Sequence, residues 1–289
     1  MRYEGVVYRP PSEARSLIVQ ATLGCSSNTC AFCSMYKEKS FRMRELEAVL
    51  EDFKLARTYY PQVEKIFIAD GDALIMPMER WEIVLNTIRE LFPECIRVTS
   101  YATPKSVLLK TREELFHLKE LGLKMVYMGL ESGSNEVLKL MKKGNTAEDI
   151  IAAAKKLHQA GIDISVTAIN GLGGQKNKEL HAKETGRVLS AIKPAYIGLL
   201  TLMVEPGTLL EEMVNKGEFQ LLDANEILEE IKVILENCDC PGSIFRANHA
   251  SNYLPLKGVL NQDRQKLIEK IENALLGKEG LKPEWMRGL

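Results

Sequence analysis

Three of the chain's six cysteines crowd into nine residues, Cys25-Ser-Ser-Asn-Thr-Cys30-Ala-Phe-Cys33. A thiolate carries a full charge and seeks a metal, a covalent bond or a reaction partner. Three thiolates on one short loop can each bind a different iron of a cubane cluster, which leaves the fourth iron open. An open iron can chelate a small molecule. Zinc is the competing metal, but structural zinc sites take four ligands that usually arrive as two pairs. Here the loop supplies three, and Cys95 is the sole Cys or His in the next eighty residues. A disulfide would need an oxidising compartment, and Met1-Arg-Tyr-Glu-Gly-Val-Val-Tyr reads as neither a secretory nor a transit signal. The spacing favours a 4Fe-4S cluster on Cys25, Cys30 and Cys33, with zinc or idle thiols as the alternatives.

The elements that must hold this loop follow a repeating order. An apolar run over residues 16–24 leads into the cysteines, and a helix is predicted over 45–58 from Leu46, Val49, Leu50, Phe53 and Ala56. Lys65-Ile-Phe-Ile-Ala69 suits a buried parallel strand, followed by a helix over 79–91 and strands over 96–102 and 125–130. Capping boxes at Thr111/Glu114, Thr146/Asp149 and Asp223/Glu226 mark three helix starts. Further strands are predicted over 162–169, 196–204 and 243–249, and a last amphipathic helix over 263–276. Strand, loop, helix repeated six times predicts an α/β fold, a partial (β/α)6 TIM-like barrel of parallel strands with a C-terminal strand and helix extension. Residues 1–210 form the expected core, and residues 211–289 an extension within the same structural domain.

Active sites of such barrels lie at the C-terminal ends of the strands. The cysteine loop follows the first strand, Asp70-Gly71-Asp72-Ala73 the second, Gly129-Leu-Glu131-Ser132-Gly133 the fourth, and Asn170-Gly171-Leu172-Gly173-Gly174 the fifth. A carboxylate such as Glu131 can accept two hydroxyls at once, and glycines permit close approach of the backbone to a ligand. Lys37, Lys39, Arg42 and Arg44 form a cationic run after the cysteines, either a solvated turn or a partner for anions. Arg246, Asn248, His249 and Asn252 gather at the end of the last predicted strand as candidate substrate residues. Cys95, Cys238 and Cys240 precede strands, at the opposite end from Cys25, and read as buried structural thiols.

These motifs in this order resemble the radical S-adenosylmethionine (SAM) superfamily over roughly residues 16–208. The superfamily spacing has three residues between its first two cysteines, and this chain has four, Ser26 to Thr29; a loop absorbs one residue at small entropic cost. The Gly129–Gly133 segment is similar to that of oxygen-independent coproporphyrinogen oxidases and tRNA methylthiotransferases. The resemblance implies a 4Fe-4S cluster and SAM as cofactors. Asp70, Gly71 and Asp72 would receive the methionine amino group, Glu131 and Ser132 would help hold SAM, and Phe32, Gly171 and Gly173 would approach adenine. It also implies a flavodoxin or ferredoxin-like electron donor and a 5′-deoxyadenosyl radical that abstracts hydrogen from a small-molecule substrate. The second hypothesis is an iron–sulfur or zinc carrier without radical chemistry.

The bulk properties set the remaining bounds. Lys plus Arg number 38 against 39 Asp plus Glu, so no strong field draws nucleic acid or an anionic membrane. No apolar run approaches eighteen residues. These features, with six cysteines and no visible export signal, predict a soluble, cytoplasmic globular protein, with nucleic acid disfavoured.

Overall fold

The computed structural model describes residues 2–288. They fall into two compact units, and three elements run from one into the other along the chain. The first unit holds residues 2–28, 35–128 and 152–164; the second holds 29–34, 129–151 and 165–288.

In the first unit, β1 (Leu17–Gln20), β4 (Lys65–Ala69), β5 (Arg97–Ala102) and the start of β6 (Leu123–Glu131) are parallel neighbours in that order. A two-stranded antiparallel ladder of β2 (Thr22–Leu23) and β3 (Arg42–Met43) flanks the cysteine loop. Ile66, Phe67, Ile68 and Ala69 are all inaccessible to solvent, as expected of a parallel strand covered on both faces. Phe67, Tyr101 and Tyr127 share one face of these strands and pack edge to face, with ring centroids 5.0 to 6.1 Å apart. Helices α1 (Leu46–Tyr59), α2 (Met78–Leu91), α3 (Pro104–Leu108) and α4 (Arg112–Leu121) accompany them. α1 and α2 bury Phe53, Trp81, Leu85 and Ile88. The Thr111/Glu114 box forms reciprocally, and Gly122 ends α4 at φ +119°.

The second unit contains α5 (Asn135–Leu140), the start of α6 (Ala147–Gln159), and most of β7 (Asp163–Asn170). α7 (Gly174–Ile192), β8 (Tyr196–Thr201), α8 (Leu209–Asn215) and α9 (Ala224–Glu236) follow, then β9 (Ile244–Ala247), β10 (Leu256–Val259) and α10 (Arg264–Leu275). β7, β8 and β9 are parallel, and β10 pairs antiparallel to β9. The Thr146/Asp149 and Asp223/Glu226 boxes both close. Two strands are shorter than the sequence suggests: β8 stops at Thr201 and β9 at Ala247. β10 escapes the sequence reading because Pro255 and Gly258 interrupt any strand-like alternation.

The sheet of the second unit has two unlike faces. Val166, Ala168 and Asn170, then Ile197, Leu199 and Thr201, then Phe245 and Ala247 are buried. On the other face, Ser165, Thr167, Tyr196, Gly198, Leu200 and Ile244 are half-buried and Arg246 is exposed. Two glycines set close backbone packing in this unit. A Cβ on Gly186 of α7 would lie 2.7 Å from Asn237 Cβ and 2.8 Å from the Ile234 carbonyl oxygen. One on Gly133, just past β6, would lie 2.1 Å from the Glu184 carbonyl oxygen, which is α7 backbone. Because neither backbone can yield without breaking helical hydrogen bonds, Gly133→Ala is expected to cost about 3 kcal/mol of stability. A denaturant midpoint equal to that of the parent chain would refute the contact.

Candidate active site

The first unit presents Cys25 on the loop that leaves β2. Cys25 is half-buried and is a thiol, as are the other five cysteines. A Cβ added to Gly71 would lie 3.0 Å from Cys25 Cβ, 2.8 Å from the Tyr36 ring and 3.1 Å from the Gly24 carbonyl oxygen. The loop after β4 is therefore seated against the first cysteine at a point where no side chain fits.

The two acids beside Gly71 build this seat. Asp70 is completely buried, and its Oδ2 accepts from Gln20 Nε2 (3.1 Å), Lys39 Nζ (3.1 Å) and the Gly24 N–H (3.4 Å). Its Oδ1 has no partner among the described residues. Burial pushes the Asp70 carboxyl up from its ordinary value, and the Lys39 ammonium opposes the shift. Asp72 is also fully buried; it accepts from the Ser26 hydroxyl, the Thr103 hydroxyl (3.0 Å) and the Thr103 N–H (3.1 Å). Both carboxylates thus tie the β4 loop to the residues flanking Cys25. Three of the four cations of the run are committed to acids: Lys39 to Asp70, Arg42 to Glu4, and Arg44 to Asp52 at 2.8 Å.

The second unit presents Cys30 and Cys33. The Ala31 N–H donates to the Met141 carbonyl, and the Leu210 N–H donates to the Ala31 carbonyl, each at 2.9 Å. The stretch between the two cysteines is pinned from both sides, and Phe32 packs on a core of Ala31, Val137, Met141 and Leu172. At the end of β6, Glu131 adopts φ +59°, a left-handed conformation unusual for a non-glycine residue. Its Oε1 lies 2.7 Å from Lys143 Nζ. A Cβ on Gly129 would fall 2.0 Å from that Oε1 and 2.8 Å from Lys143 Nζ, so glycine at 129 makes room for the carboxylate.

Ser132 turns inward instead. Its hydroxyl accepts the Ser134 N–H (3.0 Å) and lies 2.8 Å from Nδ1 of the fully buried His181. His181 Nε2 lies 3.6 Å from Glu230 Oε1, which accepts the Gly171 N–H. A buried chain from Ser132 through His181 and Glu230 therefore ends on the first glycine of the turn after β7. Burial pulls His181 down to about 4 and pushes Glu230 up to about 8. His181 and Glu230 escape a reading of the sequence because each acts on a residue remote in the chain, and Lys143 because nothing in its own segment marks it as the partner of Glu131.

Gly171 has φ +82° and a Cβ there would meet Ile227 Cδ1 at 2.9 Å; Gly173 lies 2.9 Å, by the same measure, from the Asn177 carbonyl oxygen. Asn170, inaccessible to solvent, has neither its amide nitrogen nor its oxygen partnered among the described residues. The candidate substrate residues divide. Asn252 is buried, accepting from Thr201 Oγ1 and donating to the Leu199 carbonyl, each at 2.9 Å. His249 Nδ1 bonds within its own loop to Ser251 Oγ at 3.0 Å. Asn248 and Arg246 are exposed. Cys238 and Cys240 are buried with sulfurs 3.2 Å apart, and Cys95 is half-buried, its thiol pushed up by burial.

A family profile described as Radical SAM superfamily matches residues 19–183, more than half of the chain. The chain belongs to the radical SAM superfamily. The matched span contains the cysteine loop, the β4 loop, Glu131 and the turn after β7. Among curated relatives, the heme chaperone HemW of Bacillus subtilis is 22% identical over 190 residues, 65% of this chain and 49% of that protein. The chain spans half or less of the length of the curated relatives it matches. Among solved structures, methylornithine synthase (PylB) aligns with a TM-score of 0.54 at 14% identity, covering 92% of this chain and 83% of that one. Coproporphyrinogen III oxidase (HemN) from Escherichia coli aligns at 0.54 and 16% identity, covering 76% and 52%. These likenesses give the fold, an α/β partial barrel of parallel strands.

Superfamily membership carries a 4Fe-4S cluster and SAM as cofactors. The donor set fits them: three thiols on one loop, glycine at 71 against Cys25, and a buried Asn170 with unmet hydrogen-bonding capacity. Among the described residues, no three His, Cys, Asp or Glu side chains are gathered closely enough to hold a metal ion. Binding of the metal itself is what draws such ligands together. No helix among the described residues is long and apolar enough to cross a membrane.

Proposed function

We propose that the chain is a radical SAM enzyme in which Cys25, Cys30 and Cys33 hold a 4Fe-4S cluster, with residues 1–210 as its cofactor core and residues 211–289 as an extension. What supports this reading is the span of the family match, which takes in every motif at the ends of the first, second, fourth and fifth major strands. When bound, the cluster and SAM supply reductive cleavage to a 5′-deoxyadenosyl radical that abstracts hydrogen from the substrate.

The chain's own residues bind and orient. Asp70 and Asp72 hold the loop in which Gly71 offers its backbone to the methionine amino group. The Glu131 carboxylate accepts ribose hydroxyls, a reading supported by the 2.7 Å contact with Lys143 that fixes its direction. Gly171 opens onto a cleft of about 490 Å³ in which Leu202, Met203 and Ile227 offer apolar surface for adenine beside the polar Tyr253, Glu284 and Arg287. The electron comes from a flavodoxin or ferredoxin-like donor in the cytoplasm.

Anaerobic reconstitution with iron and sulfide, then reductant and SAM, tests the reading through the appearance of 5′-deoxyadenosine. A cluster that forms but yields none of that product would point to a carrier instead. A second expectation concerns SAM affinity alone. Gly129→Ala displaces the Glu131 carboxylate and should weaken SAM binding roughly tenfold or more, the loss expected of a charge-assisted hydrogen bond. Equilibrium binding of SAM to the reconstituted variant measures it, and unchanged affinity would remove Glu131 from the site.

A further inference from the structure

We propose that the half-exposed face of the second unit's sheet binds the substrate, and that Arg246 and Lys257 there recognise an anionic group, a carboxylate or a phosphate. The inference deepens the radical SAM reading by naming a substrate class, and it rests on that reading only for what is done to the molecule bound.

Parallel strands are ordinarily covered on both faces. Here one face of β7, β8 and β9 is buried, while the other is half-open and carries Ser165, Thr167, Tyr196 and Arg246. Gly198, at its middle, would accept a side chain without a clash: a Cβ there would make ordinary contacts with the Val166 carbonyl oxygen at 3.7 Å and Thr167 Oγ1 at 3.8 Å. The strand register sets Thr167, Gly198 and Arg246 side by side, and Lys257 of β10 directly opposite Arg246. Like charges directly opposite on an antiparallel pair are destabilising. Neither Arg246 nor Lys257 forms an ion pair among the described residues. Arg246 Nη1 donates to two carbonyl oxygens of its own hairpin, Phe245 at 2.8 Å and Gly258 at 3.4 Å, which fixes one arm of the guanidinium and leaves the Nε and Nη2 donors for a ligand. Two juxtaposed cations with no acid between them are complementary to an anion.

Their level along the strands suits a substrate with two ends. Gly198 and Arg246 lie two residues below Leu200, or about 7 Å at the usual strand rise. Leu200 and Ile169 are level with each other in the register. An anionic group held at Arg246 would leave the rest of the molecule over the half-buried Leu200, pointing toward the C-terminal ends of the strands, where the Gly171 turn lies.

The test uses the reconstituted holoenzyme under anaerobic calorimetry, with inorganic phosphate and, separately, glutarate as probes. Arg246→Gln and Lys257→Gln should each weaken the anion that binds roughly tenfold or more, and Arg246→Lys should recover part of it. Lys266→Gln, an exposed cation beside Asp263 on α10, serves as the control and should bind as the parent does. Binding of phosphate alone would assign a phosphate ester, and binding of glutarate alone a carboxylic acid. No binding of either probe, or equal binding by all variants, would overturn the proposal. Formation of 5′-deoxyadenosine by the parent protein is scored separately, so loss of the radical SAM reading would be distinguishable from loss of the anion site.

Discussion

Replacing Cys30 with Ser is expected to leave the reconstituted protein without an intact 4Fe-4S cluster and to lower 5′-deoxyadenosine formation by about a thousandfold or more, the scale of losing a metal centre that carries the chemistry. The same result is expected for Cys25→Ser and Cys33→Ser. A hydroxyl remains protonated where a thiol ionises, so it cannot replace a thiolate on iron. The contrast is the triple variant of Cys95, Cys238 and Cys240. Cys238 and Cys240 are buried against each other ahead of β9, and Cys95 lies ahead of β5, at the strand ends opposite to those that carry the cysteine loop, so their loss should leave the iron content unchanged. Iron and sulfide analysis with electron paramagnetic resonance of the reduced protein checks both sets. If Cys30→Ser kept its full iron, or the triple variant lost it, the assignment of the ligands would be wrong.

Why those three cysteines are legible in the sequence, and their surroundings are not, comes down to distance along the chain. The cysteine spacing is local, as are the capping boxes at Thr111/Glu114 and Asp223/Glu226, and each can be read from a few letters. The buried strands are legible because a run such as Lys65–Ala69, covered on both sides, has no polar face to spare. Asp70 and Asp72 are visible as acids at a strand end. That their oxygens are committed to Gln20, Lys39, Ser26 and Thr103 is a matter of tertiary placement. Arg246 reads as a candidate by its company of polar residues. Its neighbour Lys257 stays hidden because the hairpin that opposes them is closed by a strand with no alternating pattern. Ser132 shows the converse: it stands within the sharpest motif, yet its hydroxyl is turned onto His181, remote in sequence.

That buried connection gives the second large effect, a pH dependence of stability carried by Glu230 and His181. An ion pair here would rest on one contact of 3.6 Å with both groups desolvated, and neither His181 Nε2 nor Glu230 Oε2 has a hydrogen-bond partner among the described residues. The neutral forms of both are therefore favoured in the folded chain. Glu230 is raised from 4.5 to about 8 by burial. Between those values the folded chain keeps a proton that the unfolded chain releases, so stability falls as pH rises. His181 is lowered from 6.5 to about 4, also by burial. Between those values the unfolded chain takes up a proton that the folded chain refuses, so stability rises with pH. The two slopes oppose each other from about pH 4.5 to 6.5, and Glu230 acts alone from about 6.5 to 8. Across that upper interval the chain should lose about 2 kcal/mol from this source. Glu230→Gln keeps an oxygen for the Gly171 N–H and removes the titration, so its stability should stop falling there. The same variant should then show the rise due to His181 between about pH 4 and 6.5 without opposition. Denaturant unfolding at stepped pH reads both slopes, and parallel curves for parent and variant would mean that Glu230 is ionised in the core, with His181 as its charged partner.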